Sequence, residues 1–184
     1  MVQTHPYRIH QAVPADLPLV VDLDYEAFAP YGTAEDLEVF ATRLATFPEG
    51  FVVMEQDSMI VGYGTSEKWL TEREPALGED ARTIHWPDGR IFCITGMAVR
   101  QTYRERGYGL AILDHLIGIA RHHNCTTIIL ETTHAQGLYL KRGFRVVRER
   151  QERGVVLSVM KLELDSGSSG GEAKWKSWQV SPNL

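Results

Sequence analysis

The stretch from Val99 to Leu113 reads VRQTYRERGYGLAIL: the apolar end of a strand, a turn carrying arginines and glycines, and a helical pattern directly behind it. A strand that passes into a helix through Arg104, Glu105, Arg106, Gly107, Tyr108 and Gly109 fixes the element order on both sides of the turn. Its chemistry is that of an anion cradle. Gly107 and Gly109 leave the backbone uncovered, so that successive N–H groups point at one anion, and the following helix adds the positive end of its dipole. Arg104 and Arg106 bring positive charge to the same place. A dinucleotide fingerprint is excluded, because its third glycine would stand where Ile112 is, and a phosphate loop of the Gly-Lys-Ser/Thr type is absent.

The helix behind the turn is well specified. Gly109, Ile112, Leu113, Leu116, Ile117 and Ala120 recur at helical spacing and predict one buried face, with Asp114, His115, Gly118, Arg121 and His122 on the wet side. Thr126 to Thr133 is a short β-branched run and predicts a strand. In the next segment, AQGLYLKRGF from Ala135 to Phe144, the residues Ala135, Leu138, Tyr139 and Arg142 share a helical face. Gly143 stands where that helix needs a left-handed residue to stop, and Phe144 begins a strand.

An Arg-x-x-Gly-x-Gly loop after a strand ending in Val, followed further on by Leu-Tyr-x-x-x-Gly-Phe, resembles the GNAT superfamily of CoA-dependent N-acyltransferases. The resemblance is close from Ile91 to Val147, and the element order fits out to Leu164. It implies an α/β (α+β) fold: a mixed, mostly antiparallel sheet flanked by helices and splayed at the central strand, here Ile91 to Val99. It also implies acetyl-CoA as co-substrate, with its pantetheine arm on the backbone of Met97, Ala98 and Val99 and its pyrophosphate in the loop from Arg104 to Gly109. Tyr139 falls where many members hold a tyrosine that protonates the leaving thiolate. Two positions depart from the pattern. Glu105 stands where glycine is frequent, and Thr132 where an asparagine often bonds the cofactor.

The reaction makes its own demands. An alkylammonium has a pKa of roughly 10, so an amine must lose a proton before it attacks a thioester, and a departing thiolate of roughly pKa 8.5 gains from a nearby acid. Tyr139 is the candidate acid; its plain reading is a buried aromatic anchoring a short helix. The proton acceptor is open. The central strand holds no carboxylate or histidine, so the candidates are Glu131, His134, His85 or a water relay. Cys93, among Phe92 and Ile94 with no cationic neighbour in sequence, reads as a buried thiol rather than a nucleophile. Direct attack is expected.

With 184 residues, 43% of them hydrophobic, the chain has material for one domain, placed at 1–164. Before the central strand we expect a strand at Tyr7 to Ala12, helices at Asp16 to Ala29 and Ala34 to Phe47, and a hairpin of Phe51 to Glu55 with Met59 to Trp69. Thr71 to Asp88 reads as an inserted loop. A closing hairpin pairs Phe144 to Arg150 with Val155 to Leu164. Residues 165–184 form a Ser/Gly linker and a tail, in which Trp175 and Trp178 suggest docking on the domain or on a second subunit, which leaves a homodimer open.

A net charge of -5 argues against a nucleic-acid partner. No apolar run approaches the roughly 20 residues of a membrane helix. No Cys/His spacing predicts a metal. Two cysteines and no cationic-then-apolar leader predict a cytoplasmic protein. Charge is uneven: Asp16, Asp22, Asp24, Glu26, Glu35, Asp36, Glu38 and Glu49 stand against only Arg43 between Pro14 and Gly50, whereas Lys141 to Arg153 is strongly basic. The resemblance implies that the first helices border the acceptor site, where an acidic wall would attract a cationic amine. Tyr25, Phe28 and Tyr31 fit either an apolar acceptor pocket or the core. The expected activity is acetyl transfer to a primary amine of a small molecule. Acetylation of a protein N-terminus or lysine, and a catalytically silent CoA-binding protein, are the alternatives.

Overall fold

The computed structural model describes residues 6–152 and 154–165. Strand β1 (Tyr7–Gln11) leads through a 3₁₀ turn into helix α1 (Leu17–Phe28). The carboxylate of Asp16 holds that turn by accepting the Val13 N–H at 2.9 Å. Helix α2 (Leu37–Thr46) begins at an N-cap, where Asp36 accepts from the Val39 N–H at 3.1 Å. Strands β2 (Phe51–Gln56) and β3 (Met59–Trp69) form a hairpin across Asp57 and Ser58, both left-handed at φ 51° and 63°. That backbone is the one whose twist suits a two-residue hairpin.

Helix α3 (Ala81–Ile84) lies in the segment between β3 and β4 (Ile91–Val99). The expectation of an unstructured loop from Thr71 to Asp88 is corrected here. Asp80 caps a single turn by accepting the Arg82 N–H at 3.0 Å, and Ala81 is buried. Then follow α4 (Tyr108–His122), β5 (Thr127–Thr132), α5 (Gln136–Leu140), β6 (Arg145–Glu152) and β7 (Val155–Glu163).

Among the described residues the sheet has seven strands in the order β1-β2-β3-β4-β5-β7-β6. Every neighbouring pair is antiparallel except β4 with β5. That parallel pair runs only from Ile91↔Thr127 to Ile94↔Leu130, while β4 continues to Val99 paired with β3 alone. The register with β3 jumps from Ser66↔Ile94 to Thr65↔Gly96, which makes Thr95 a bulge at the point where β5 parts company. The sheet is therefore open between β4 and β5 beyond Thr95.

Each face of the sheet has its own core. One packs α4 through Ile112, Leu113, Leu116 and Ile117 on Phe92, Ile94 and Ile128; the other packs α1 and α2 through Leu23, Phe40 and Leu44 on Val53 and Tyr63. Gly64 on β3 lets α4 approach, since a Cβ there would lie 2.9 Å from Leu116 Cδ1. His115, expected on the wet side, is partly covered, and burial lowers its pKa. The docking expected of Trp175 and Trp178 lies outside the described residues.

Candidate active site

The cradle forms where β4 ends. A 3₁₀ turn at Gln101–Tyr103 carries the chain outward, Glu105 and Gly107 take left-handed backbone (φ 62° and 82°), and α4 begins at Tyr108. The first amides of a helix have no partner within it, so the backbone N–H groups at this end are available to an anion. The arginines also brace the turn: Arg104 Nε donates to the Val99 carbonyl at 3.1 Å, and Arg106 donates to the Thr102 carbonyl at 3.1 Å while lying over the Tyr103 ring. The Tyr108 side chain is an anchor. Its hydroxyl donates to Gln56 Oε1 at 2.6 Å, and its ring packs on Tyr7.

A cavity of about 590 Å³ runs from this cradle along the open edge of β4 to the face that carries α1 and α2. That size suits a small-molecule site. Arg104, Glu105, Gly107 and Gly109 border one end, and Met97, Ala98 and Val99 border the middle. Arg106 lies outside the lining. Tyr139 is buried at the cavity wall on α5, with its ring against Phe144; Gly143, at φ 84°, ends the segment as the spacing requires. Burial raises the Tyr139 phenol well above its ordinary pKa, so it keeps its proton at any physiological pH. Thr132, which replaces the frequent asparagine, accepts the Ala135 N–H at 3.1 Å and so starts the helix that positions Tyr139.

The far end of the cavity is built of carboxylates. Asp24 accepts a short hydrogen bond from the Tyr63 hydroxyl on one oxygen and the Glu35 N–H at 2.8 Å on the other. Burial raises the Asp24 pKa, and these two hydrogen bonds pull against it. The Arg43 guanidinium, 4% exposed, takes Glu35 as a two-pronged partner. Glu67, 1% exposed, accepts from Trp69 Nε1 at 3.3 Å on Oε2, while its Oε1 stands 3.5 Å from Arg43 Nε. Among the described residues neither of these last two atoms has a hydrogen-bond partner. Burial also raises the Glu67 pKa, against the attraction of Arg43.

Of the proton acceptors expected from sequence, Glu131 and His134 border the cavity and His85 does not. His85 stacks on Phe47 and accepts the Lys68 N–H at 3.2 Å, and its pKa is lowered to about 4 by burial, with Lys68 and His123 adding to the effect. Both oxygens of Glu131 accept from Arg150, each at 2.7 Å. His134 is exposed beside Tyr31, its Nδ1 bonded to the Thr133 hydroxyl. From the acidic run of the first helices the cavity takes Asp24 and Glu35; from the aromatic cluster it takes Phe28 and Tyr31, while Tyr25 is exposed and outside it. Cys93 is buried, and burial pushes its thiol pKa well up, with Glu67 and Glu131 adding to the effect.

The segment before α3 straps the two walls together. Pro75, Ala76, Leu77 and Glu79 border the cavity. The Gly78 N–H donates to Glu35 Oε1 at 3.1 Å on one side, and Arg150 donates to the Pro75 carbonyl at 3.0 Å on the other. Arg148 pairs with Glu74, Lys161 with Glu72, and Arg73 with Glu79. Much of the basic stripe on β6 thus holds this strap down.

Tyr63 and Glu67 were not anticipated. Their signal was the alternation Tyr63, Thr65, Glu67, Trp69 on β3, which places one carboxylate on an otherwise apolar or neutral strand face. Among the described residues no group of three His, Cys, Asp or Glu side chains is placed to hold a metal. No helix there is long and apolar enough to cross a membrane.

A mixed sheet opened between two parallel strands, with an anion cradle at the head of the following helix, defines the class of CoA-dependent acyltransferase folds. The chain belongs to the acetyltransferase (GNAT) family, whose model matches residues 17–144. No curated protein matches it in sequence. Solved structures of the same fold include Ard1 from Thermoplasma volcanium, 17% identical with a TM-score of 0.71 and covering 87% of this chain and 99% of that one. The ribosomal-protein-S18-alanine N-acetyltransferase from Escherichia coli is 18% identical, with a TM-score of 0.67 and coverage of 90% and 98%. The GNAT-like decarboxylase GphF, in complex with isobutyryl-CoA, is 16% identical, with a TM-score of 0.72 and coverage of 85% and 98%. At such identities the likeness is one of fold.

Proposed function

We propose that the chain transfers the acetyl group of acetyl-CoA to a primary amine of a small molecule with an apolar body. One observation carries the reading: a single cavity joins the cradle and the open edge of β4 to a buried, carboxylate-rich end walled by Phe28 and Tyr31. The Arg104 to Gly109 turn receives the pyrophosphate on its backbone N–H groups and the head of α4. The backbone of β4 from Met97 to Val99, left without β5, offers its unpaired groups to the amides of the pantetheine arm. The thioester then lies beside the opening at Thr95. The amine enters from the carboxylate end, and its nitrogen lone pair attacks the thioester carbon. As the C–S bond breaks, the thiolate takes the Tyr139 proton. The high thiol pKa of buried Cys93 leaves direct attack as the route.

The carboxylates favour a cation over the anionic substrate that a decarboxylase needs, since Asp24, Glu35 and Glu67 would repel a carboxylate. The strap from Glu35 to Arg150 favours a compact acceptor over a threaded peptide. The test is thiol release from acetyl-CoA with phenethylamine, hexylamine, spermidine, a lysine derivative and a short peptide with a free N-terminus. Turnover is expected with the small apolar amines. Turnover with the peptide alone moves the assignment to protein acetylation, and none with any amine overturns it.

A further inference from the structure

We propose that Glu67 on β3 is the carboxylate that receives the acceptor's ammonium group and removes its proton. The proposal rests on the amine-acetylation reading above, and elimination within the cavity leads to it. Asp24 has both oxygens engaged, by Tyr63 and by the Glu35 N–H. Glu35 is held by Arg43 and Gly78, Glu79 by Arg73, and Glu131 and Glu152 by Arg150. Glu105 lies on the exposed turn at the cradle end. Among the described residues, Glu67 alone of these lining carboxylates has a buried oxygen with no hydrogen-bond donor.

Arg43 does not fill that vacancy. Its two terminal nitrogens are spent on Glu35, and its Nε at 3.5 Å makes no hydrogen bond to Glu67. Asp24, Glu35 and Glu67 thus share one buried guanidinium, so the floor is short of a cation. A buried carboxylate left without a full partner is costly, and an entering ammonium supplies both the missing charge and the missing donors. The terminal torsion of a glutamate is soft, so an oxygen turns to the cavity without moving the strand.

The position fits the reaction. Glu67 pairs in register with Cys93, two residues before Thr95, where β4 bulges and parts from β5. With strands ~4.8 Å apart and a rise of ~3.4 Å per residue, its Cα lies about 8 Å from that of Thr95, within reach of a glutamate side chain plus an amine nitrogen. The central strand lacks a carboxylate, and the strand beside it provides one. In the step itself an ammonium N–H bond breaks and its proton moves to Glu67, which later returns it to solvent. The freed lone pair forms the C–N bond, the C–S bond breaks, and the thiolate takes the Tyr139 proton. The Tyr139 phenolate takes the second nitrogen proton as the amide forms, which restores the phenol.

The charged and titratable groups facing Glu67 are Arg43 from α2, Arg73 and Glu79 from the strap, and Cys93 from β4. Burial raises its pKa, which moves its proton affinity toward the working range of a base. The experiment compares wild type, Glu67→Gln and Glu67→Asp, using phenethylamine and acetyl-CoA. Acetyl-CoA affinity by calorimetry and the circular dichroism spectrum should match wild type in both variants. For Glu67→Gln, kcat/KM for the amine should fall about 100-fold or more at neutral pH. The acid limb of its pH profile, set by Glu67 in the wild type, should give way to a rise that follows the amine's own deprotonation. Glu67→Asp should restore part of the rate. A Glu67→Gln protein that keeps wild-type kcat/KM and pH profile, with only a lower Tm, makes Glu67 a counter-ion of Arg43 and overturns the proposal. If the wild type itself releases no thiol with any amine, the acetylation reading fails, and this proposal with it.

Discussion

Glu105 offers a quantitative test of the cradle, because it combines two penalties in one residue. Its backbone is left-handed at φ 62°, a conformation that costs an L-residue about 1–2 kcal/mol. Its carboxylate borders the end of the cavity to which the pyrophosphate is assigned. Replacement by glycine removes both penalties, and replacement by glutamine removes only the charge. Against two phosphate charges at roughly 7 Å in water, one carboxylate contributes a repulsion of about 1 kcal/mol before screening, and about half of that at physiological salt. Glu105→Gln should therefore tighten acetyl-CoA about two- to fivefold in calorimetric titration at low ionic strength, with less gain at high salt and an unchanged Tm. Glu105→Gly should show the same gain in affinity. Its relief of strain, less about 0.4–1 kcal/mol for the freer unfolded chain, leaves up to about 1.5 kcal/mol of added stability, or a Tm higher by up to about 3–6 °C. Affinity unchanged or weakened in both variants at low salt would remove the pyrophosphate from this turn.

Tyr139→Phe keeps the ring against Phe144 and removes the proton. Stopped-flow or steady-state thiol release should show kcat lower by about 100-fold with acetyl-CoA affinity nearly unchanged, and wild-type kcat where chemistry limits the rate would reduce Tyr139 to packing. Stability should fall in acid because of His85. Its folded pKa of about 4 lies below the unfolded value of about 6.5, so the unfolded chain binds more protons between these limits and stability drops as pH falls through them. For a half-buried ring the loss, discounted for solvent, is about 1–2 kcal/mol, with His115 and His123 adding in the same sense. Denaturant midpoints measured from pH 7.5 to 4 should show it, and a His85→Asn variant, which keeps an acceptor for the Lys68 N–H, should flatten the curve; a parallel curve in that variant refutes the assignment.

The half of the cavity to which we assign the cofactor was legible as a turn and a helix, because local backbone chemistry specifies them. Gly143 occupies the left-handed position that its spacing demanded, and the helical stripe from Ile112 to Ala120 is the buried face of α4. The amphipathic periods and turn residues also placed the strands within a residue or two. Helix α3 was missed because a single turn has no period to read. It exists because Asp80 caps it and Ala81 is buried under tertiary contacts.

The half assigned to the acceptor was not legible, and the reason is register. Which carboxylate meets the cavity depends on pairings between strands far apart in sequence: Glu67 faces Cys93 across β3 and β4, and Glu131 finds Arg150 across β7. Charge runs in the sequence marked the first helices as acidic, yet of that run Asp24 and Glu35 reach the site, while a solitary glutamate on a strand reaches it too. The basic run from Lys141 to Arg153 showed in sequence only as charge, but Arg148 and Arg150 are the pins of the strap. The two halves therefore differ in how they are encoded. A cradle built of backbone N–H groups is written in consecutive residues, so it survives as a pattern. A proton acceptor is one side chain whose worth is set by what its neighbours leave unsatisfied, and that is known only once every other carboxylate in the cavity has been matched with its donor.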